Sequence, residues 1–286
     1  MNIRALFAAA LIATAAPLAA PAQAAAPAAV PDFSGFWQHG IGGIEFIPPP
    51  EGGPGPVIDA GRKPDCPPAG DRDTRPRSRS PLCGPRTAGI PFVGNTDNPI
   101  LKPWAAETIA RANAKWLADE EVNTASSMCM PSGVPRILGV QAPVQILQTP
   151  TDVVMLHQRD HQVRRIALGR PHAANAKPSW YGDSVGHYEG DTLVVETIGQ
   201  NGKSVIDYFS TPHTPAMRVV ERYRLINDGK TLQIRFTVED PNSFNMPWSA
   251  ITEYQRAGPN VTLITEERCA ENNRGVESPV DDTPDF

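Results

Sequence analysis

Downstream of Pro143 the chain alternates apolar and polar residues with a period of two, as half-buried strands do. The segments VQILQT, VVMLHQ, VRRIALG, SVGHYE, TLVVETIG, MRVVERYRLI, TLQIRFTVE, SAITEYQRA and VTLITEERC follow one another. In the seventh, Leu232, Ile234, Phe236 and Val238 share one face and Gln233, Arg235, Thr237 and Glu239 the other. The connectors PTD, RDH, EGD, NDGK and GPN are short and turn-forming, and the remaining joins are longer loops. No helical pattern intervenes, so the strands are expected to pair antiparallel, and a meander this long must curl or close. The predicted fold is mainly β: an antiparallel up-and-down, lipocalin-like barrel of about 8–10 strands.

The chain before Pro143 reads differently. DFSGFWQHG, residues 32–40, predicts a first strand anchored by Phe33, Phe36 and Trp37. Residues 48–100 are dense in Pro and Gly, which suit neither ladder nor helix. They predict an irregular excursion over the barrel surface. Residues 102–121 predict the one helix: Pro103 sits at its start, and Ile109, Ala112, Trp116 and Leu117 form an apolar face. Its acidic C-terminal end opposes the helix dipole, so the last turn is expected to fray.

Composition adds a compartment. Residues 1–24 combine Arg4, an Ala/Leu/Ile run and an Ala22-Gln23-Ala24 cleavage site, the pattern of a secretory signal peptide. Residues 25–31 read as a linker and 32–286 as a single domain, with the strand meander over 143–270. The expected location is periplasmic or secreted, with no transmembrane segment. Net charge is -5 and no basic patch is interleaved with aromatics, which argues against nucleic acid as a partner. The cysteine count of 4 suits paired thiols in an oxidising compartment. The favoured pairs are Cys66–Cys83, a local staple, and Cys129–Cys269, which closes a long loop. No C-x-x-C spacing points to a metal.

The pieces CMPSGVPR, VQILQTPTDVVMLHQRDHQVRRIALGRPH, PSWYGDSVGHYEGDTLVVETIG, PHTPAMRVVERYR, VEDPNSFNMPW and RCAEN together resemble a family of exported bacterial proteins without an assigned reaction. The resemblance implies secretion and a β-rich domain, and it carries over no catalytic residue. SGFW, separately, is similar to the G-x-W opening of lipocalin-type barrels.

The chemistry-bearing residues gather on the strands and long loops. If Glu189-Gly190 form a two-residue turn, one face of the hairpin holds Asp183, His187 and Glu196; a three-residue turn dissolves that set. Glu221 shares an apolar face with Val219 and Tyr223, and Glu267 shares one with Val261 and Leu263, so at least one of the two carboxylates is expected inside, paired with Arg, Tyr or His. His187 is the candidate general base, with Glu221 and Tyr181 beside it. His157, His172, His213 and Tyr223 are candidate ligand-binding residues at the barrel mouth. No metal and no cofactor are assigned. Three functions compete: binding of a small, largely apolar or aromatic molecule in the lumen; cofactor-independent hydrolysis, isomerisation or elimination by His, Asp and Glu at the mouth; and a cell-envelope interaction module. Convergence of His187 and Glu221 on one concavity is the geometric condition for the second.

Overall fold

A computed structural model describes residues 30–39, 46–58, 93–118, 120, 122–258, 260–261, 264–267 and 269. Residues 1–24, expected to be a signal peptide, lie outside the described residues with Cys66, Cys83 and most of the Pro/Gly-rich excursion.

Nine strands close into one barrel. They are β1 (Gly35–His39), β2 (Val144–Gln148), β3 (Asp152–His157), β4 (Val163–Leu168), β5 (Asp183–Glu189), β6 (Thr192–Ile198), β7 (Arg218–Ile226), β8 (Thr231–Glu239) and β9 (Trp248–Arg256). Each pairs with its neighbour in sequence, and β1 pairs with β9 to close the ring. The period-two alternation is the cause: Leu232, Ile234, Phe236 and Val238 of β8 all point inward and are buried.

The expected antiparallel order fails at one place. β4 and β5 are parallel, with Ile166 opposite Ser184 and Leu168 opposite Gly186. The loop 169–182 returns along the outside of the sheet before β5 starts, which a long irregular connection permits and a tight turn does not. The loop is pinned there by His172, whose Nδ1 lies 3.0 Å from Asp183 and whose Nε2 lies 3.1 Å from Glu196.

The last expected strand, VTLITEERC, is absent among its described residues. The physical reason is closure: the free edge of β9 is taken by β1 at residues 254–256 and by the backbone of Ile47 and Pro54 at Ile251 and Ser249. At its described end Cys269 is instead disulfide-bonded to Cys129, with a Cα–Cα distance of 5.5 Å. Glu267 is therefore not a core residue. It pairs with Arg159 at 3.0 Å.

Helix α1 (Pro103–Leu117) stops earlier than residue 121, consistent with the acidic run that follows it. It buries Ala105, Ile109 and Ala112, while Leu117 stays exposed. The flanks of the excursion do more than cover the surface: Phe46, Val57 and Val93 are buried, and the Phe46 and Phe236 rings meet edge to face at 4.7 Å.

Strand direction sorts the connections. The turns at 149–151, 190–191 and 227–230 lie at one end of the barrel. The connections 158–162, 199–217 and 240–247 lie at the other, which is the mouth, as do the end of β1 and the start of β2. Residues 132–139, SGVPRILG, form a plug there. All eight are buried, and Val134, Ile137 and Leu138 join the core of the barrel. Residues Arg136–Gly139 of the plug form a short 3-10 helix.

Candidate functional site

The β5–β6 turn is Gly190-Asp191, one residue later than Glu189-Gly190, with Glu189 opposite Thr192 and Asp183 opposite Ile198. Gly190 takes a φ of 60°, which suits the first central position of a tight hairpin turn. The pairing shifts by two, so parity is kept and Asp183, His187 and Glu196 still share a face. That face is the outer one. His187 is 60% exposed and pairs with Glu189 at 3.0 Å. Arg222, and after it His187, hold the Glu189 carboxyl below its ordinary range. Burial opposes the charges of Asp183 and Glu196, yet both carboxyls are held low: Asp183 by the Ala173 N–H and His172, Glu196 by Arg218 and His172.

Glu221 lies on the opposite side of the sheet, facing the interior with no exposure. His187 and Glu221 thus share no concavity, and the expected acid–base pair does not form. Glu221 is instead the centre of a closed polar network. Arg164 reaches both of its oxygens, with Nη1 2.8 Å from Oε1, and the Tyr223 hydroxyl donates to it at 2.6 Å. Arg164 also donates to Thr197 at 2.8 Å and to Ser184 at 3.2 Å, and Ser184 and Thr197 bond each other. Burial opposes the Arg164 charge, but Glu221 and Tyr223 outweigh it and raise the pKa. Burial, then Glu221, pushes the Tyr223 hydroxyl well up. A network satisfied this fully is a structural device rather than a reactive one.

The other expected site residues scatter. Tyr181 donates to Gln162, whose Oε1 also accepts the Ser132 N–H at 3.2 Å, so it anchors the plug; burial raises its pKa. His213 is buried in the β6–β7 loop, with Nε2 2.9 Å from the Ser204 hydroxyl and Nδ1 3.2 Å from the Thr214 carbonyl. The same loop is tied to the β8–β9 loop by Asp240, which accepts from the N–H and hydroxyl of Thr214. His172 is the outer staple already described. His157 faces inward, is 4% exposed, and its Nε2 has no hydrogen-bond partner. Burial and the Arg164 charge push its pKa down to about 3.

His157 makes a pH prediction. In the unfolded chain it titrates near 6.5, and in the folded protein near 3. Between those values the unfolded state binds more protons, so stability is full above pH 6.5 and falls as the pH drops. The slope is up to about 1.4 kcal/mol per pH unit for one histidine. His213, also lowered by burial, adds to it. Urea midpoints between pH 7 and pH 4.5 will fall for the parent and fall less steeply for His157→Leu. Parallel slopes for the two proteins would refute the assignment.

The open concavity is at the mouth. A cavity of about 340 Å³ is bounded by Trp116 at the end of α1, by Val122, Thr124, Ser126 and Ser127 on the segment that follows, and by Val140, Gln141 and Ala142 after the plug. Arg159 of the β3–β4 turn, Asp207 and Tyr208 of the β6–β7 loop, and Glu267 complete it. Asp207 is fully engaged: Oδ1 accepts the Phe209 and Thr211 N–H groups and Oδ2 the Thr211 hydroxyl. Burial raises its pKa. Arg136 of the plug lies behind Tyr208, its guanidinium carbon 3.6 Å from the ring centroid.

Among the described residues no helix is long and apolar enough to cross a membrane, and no group of three or more His, Cys, Asp or Glu converges as a metal site. No protein-family model matches the chain, and no curated protein matches it.

Proposed function

We propose that this is an exported small-molecule-binding barrel whose ligand sits in the mouth cavity and not deep in the lumen. The carrying observation is the contrast between the two spaces. Inward side chains and the plug residues Val134, Ile137 and Leu138 pack into one core, and Arg164, Glu221 and Tyr223 satisfy one another. The mouth cavity of about 340 Å³ offers apolar walls at Trp116, Val122, Val140 and Ala142 beside the polar or charged Thr124, Ser126, Ser127, Gln141, Arg159, Asp207 and Glu267. A concavity with both apolar and polar walls, built from loops on a rigid barrel, is a common place for a small-molecule site. Export is supported by the leader-like residues 1–24 and by the Cys129–Cys269 bridge.

The neutral fluorescent probe N-phenyl-1-naphthylamine tests the reading. It will brighten on titration with the protein, and Trp116→Ala will weaken its binding by about 10-fold while leaving the thermal midpoint within a few degrees, since Trp116 is a half-buried wall residue at a helix end. No brightening, or equal affinity in the variant, sinks it.

A further inference from the structure

The geometry points to Arg136 as an anion anchor behind the mouth cavity, so that the ligand is an aromatic or apolar molecule bearing a carboxylate. This rests on the mouth-cavity reading and names the chemical class of its ligand.

Arg136 is 6% exposed, and its Nε and Nη1 are buried with no hydrogen-bond partner. A buried guanidinium normally satisfies its donors, and one that does not calls for an account. The two groups nearest to supplying one do not. Tyr208 presents its ring face at 3.6 Å, which attracts the charge but accepts no N–H in the plane of the guanidinium. Asp207 is close enough for its carboxyl to feel the Arg136 charge, yet its oxygens are already taken by Phe209 and Thr211. Arg136 therefore keeps two planar donors unspent, separated from the cavity by one aromatic ring.

Nε and Nη1 lie on different edges of the guanidinium, so a ligand meets one of them at a time, and an anionic carboxylate oxygen is the strong partner for such a charged donor. Tyr208 lines the cavity and shields the guanidinium, so a rotation of its ring brings a ligand carboxylate to Arg136 while the ligand body rests on Trp116, Val122 and Val140. The second cation of the cavity, Arg159, is already paired with Glu267 at 3.0 Å.

Two probes of one shape separate the terms: 2-naphthoate and its neutral counterpart 2-naphthylmethanol, titrated by calorimetry. The full chain will bind naphthoate about 10-fold more tightly than the alcohol. Arg136→Gln will cut that preference to under about 3-fold. Should Arg136→Gln fail to fold, Tyr208→Ala decides: uncovering the guanidinium will strengthen naphthoate binding by about 3-fold or more without strengthening the alcohol. Equal binding of the two probes to the parent, a preference that survives Arg136→Gln, or an unmoved preference in Tyr208→Ala overturns the anchor and leaves the cavity reading standing. Absence of binding by either probe overturns both.

Discussion

Glu221→Leu will destabilise the protein by about 3–5 kcal/mol, as will Arg164→Met, because each removes one half of a buried ion pair. The partners are 0% and 1% exposed, and each single change leaves its counterpart's charge in the barrel core with no water to take it up. Thr197 and Ser184 stay hydrogen-bonded to Arg164 in Glu221→Leu, but neither neutralises it. A loss of this size is a large share of the roughly 5–15 kcal/mol that holds a domain folded. The double variant, Arg164→Met with Glu221→Leu, removes both charges together and fills the space with apolar atoms. It will lose less than either single variant, and Tyr223 will be left with an unsatisfied hydroxyl as its main cost. Urea denaturation of the four proteins completes the cycle. Additive losses, or single variants within about 1 kcal/mol of the parent, would show that the pair is not held as described.

Half of this network is legible in the sequence. Glu221 shares its face with Val219 and Tyr223, so the strand's own alternation drives it inward and demands a partner. The partner is legible too: in VRRIALG, Arg164 lies on the same face as Ile166 and Leu168, so one of the two adjacent arginines must point inside. What alternation does not encode is which strand lies beside which. The parallel join of β4 and β5 depends on the path of residues 169–182, whose irregular composition specifies no route. It likewise does not say where a meander ends. VTLITEERC has strand composition, but its place is denied by the β1–β9 pairing, a long-range event.

The mouth was less legible still. His187, Tyr181, His172, His157 and His213 stood out by residue type, yet type does not say which face of the sheet a side chain takes when the hairpin turn is misplaced by one residue. Face parity survived that error, and the inside–outside assignment decided the outcome: the His187 face is solvent. Arg136, Asp207 and Tyr208 sit on non-periodic segments, where no face can be read. The only prior sign of Arg136 was its presence in CMPSGVPR, one of the pieces behind the family resemblance.

Replacing both Cys129 and Cys269 with Ser will lower stability by about 2–5 kcal/mol. The bridge spans 140 residues, so in the unfolded chain it removes the entropy of a long loop, the case in which a cross-link restrains most. Much of the barrel lies within that loop, from β2 through β9. Substitution isolates this bridge from Cys66 and Cys83, which chemical reduction would not. Locally the bridge holds two walls of the mouth cavity together: the segment carrying Thr124, Ser126 and Ser127 runs into Cys129, and Glu267 lies two residues before Cys269. With the bridge gone, the tail after β9 keeps the half-buried Arg159–Glu267 pair and the Gln158–Glu267 contact as ties to the β3–β4 turn, neither of them a covalent cross-link. The tail wall will therefore open at a temperature where the barrel is still folded. Two readouts will separate: the urea midpoint will drop with the whole barrel, and N-phenyl-1-naphthylamine binding will weaken already in native buffer. Glu267→Gln, which leaves the bridge intact, will move neither by much. A double-serine variant with a parent-like midpoint would mean that the barrel's own closure, and not the bridge, sets its stability.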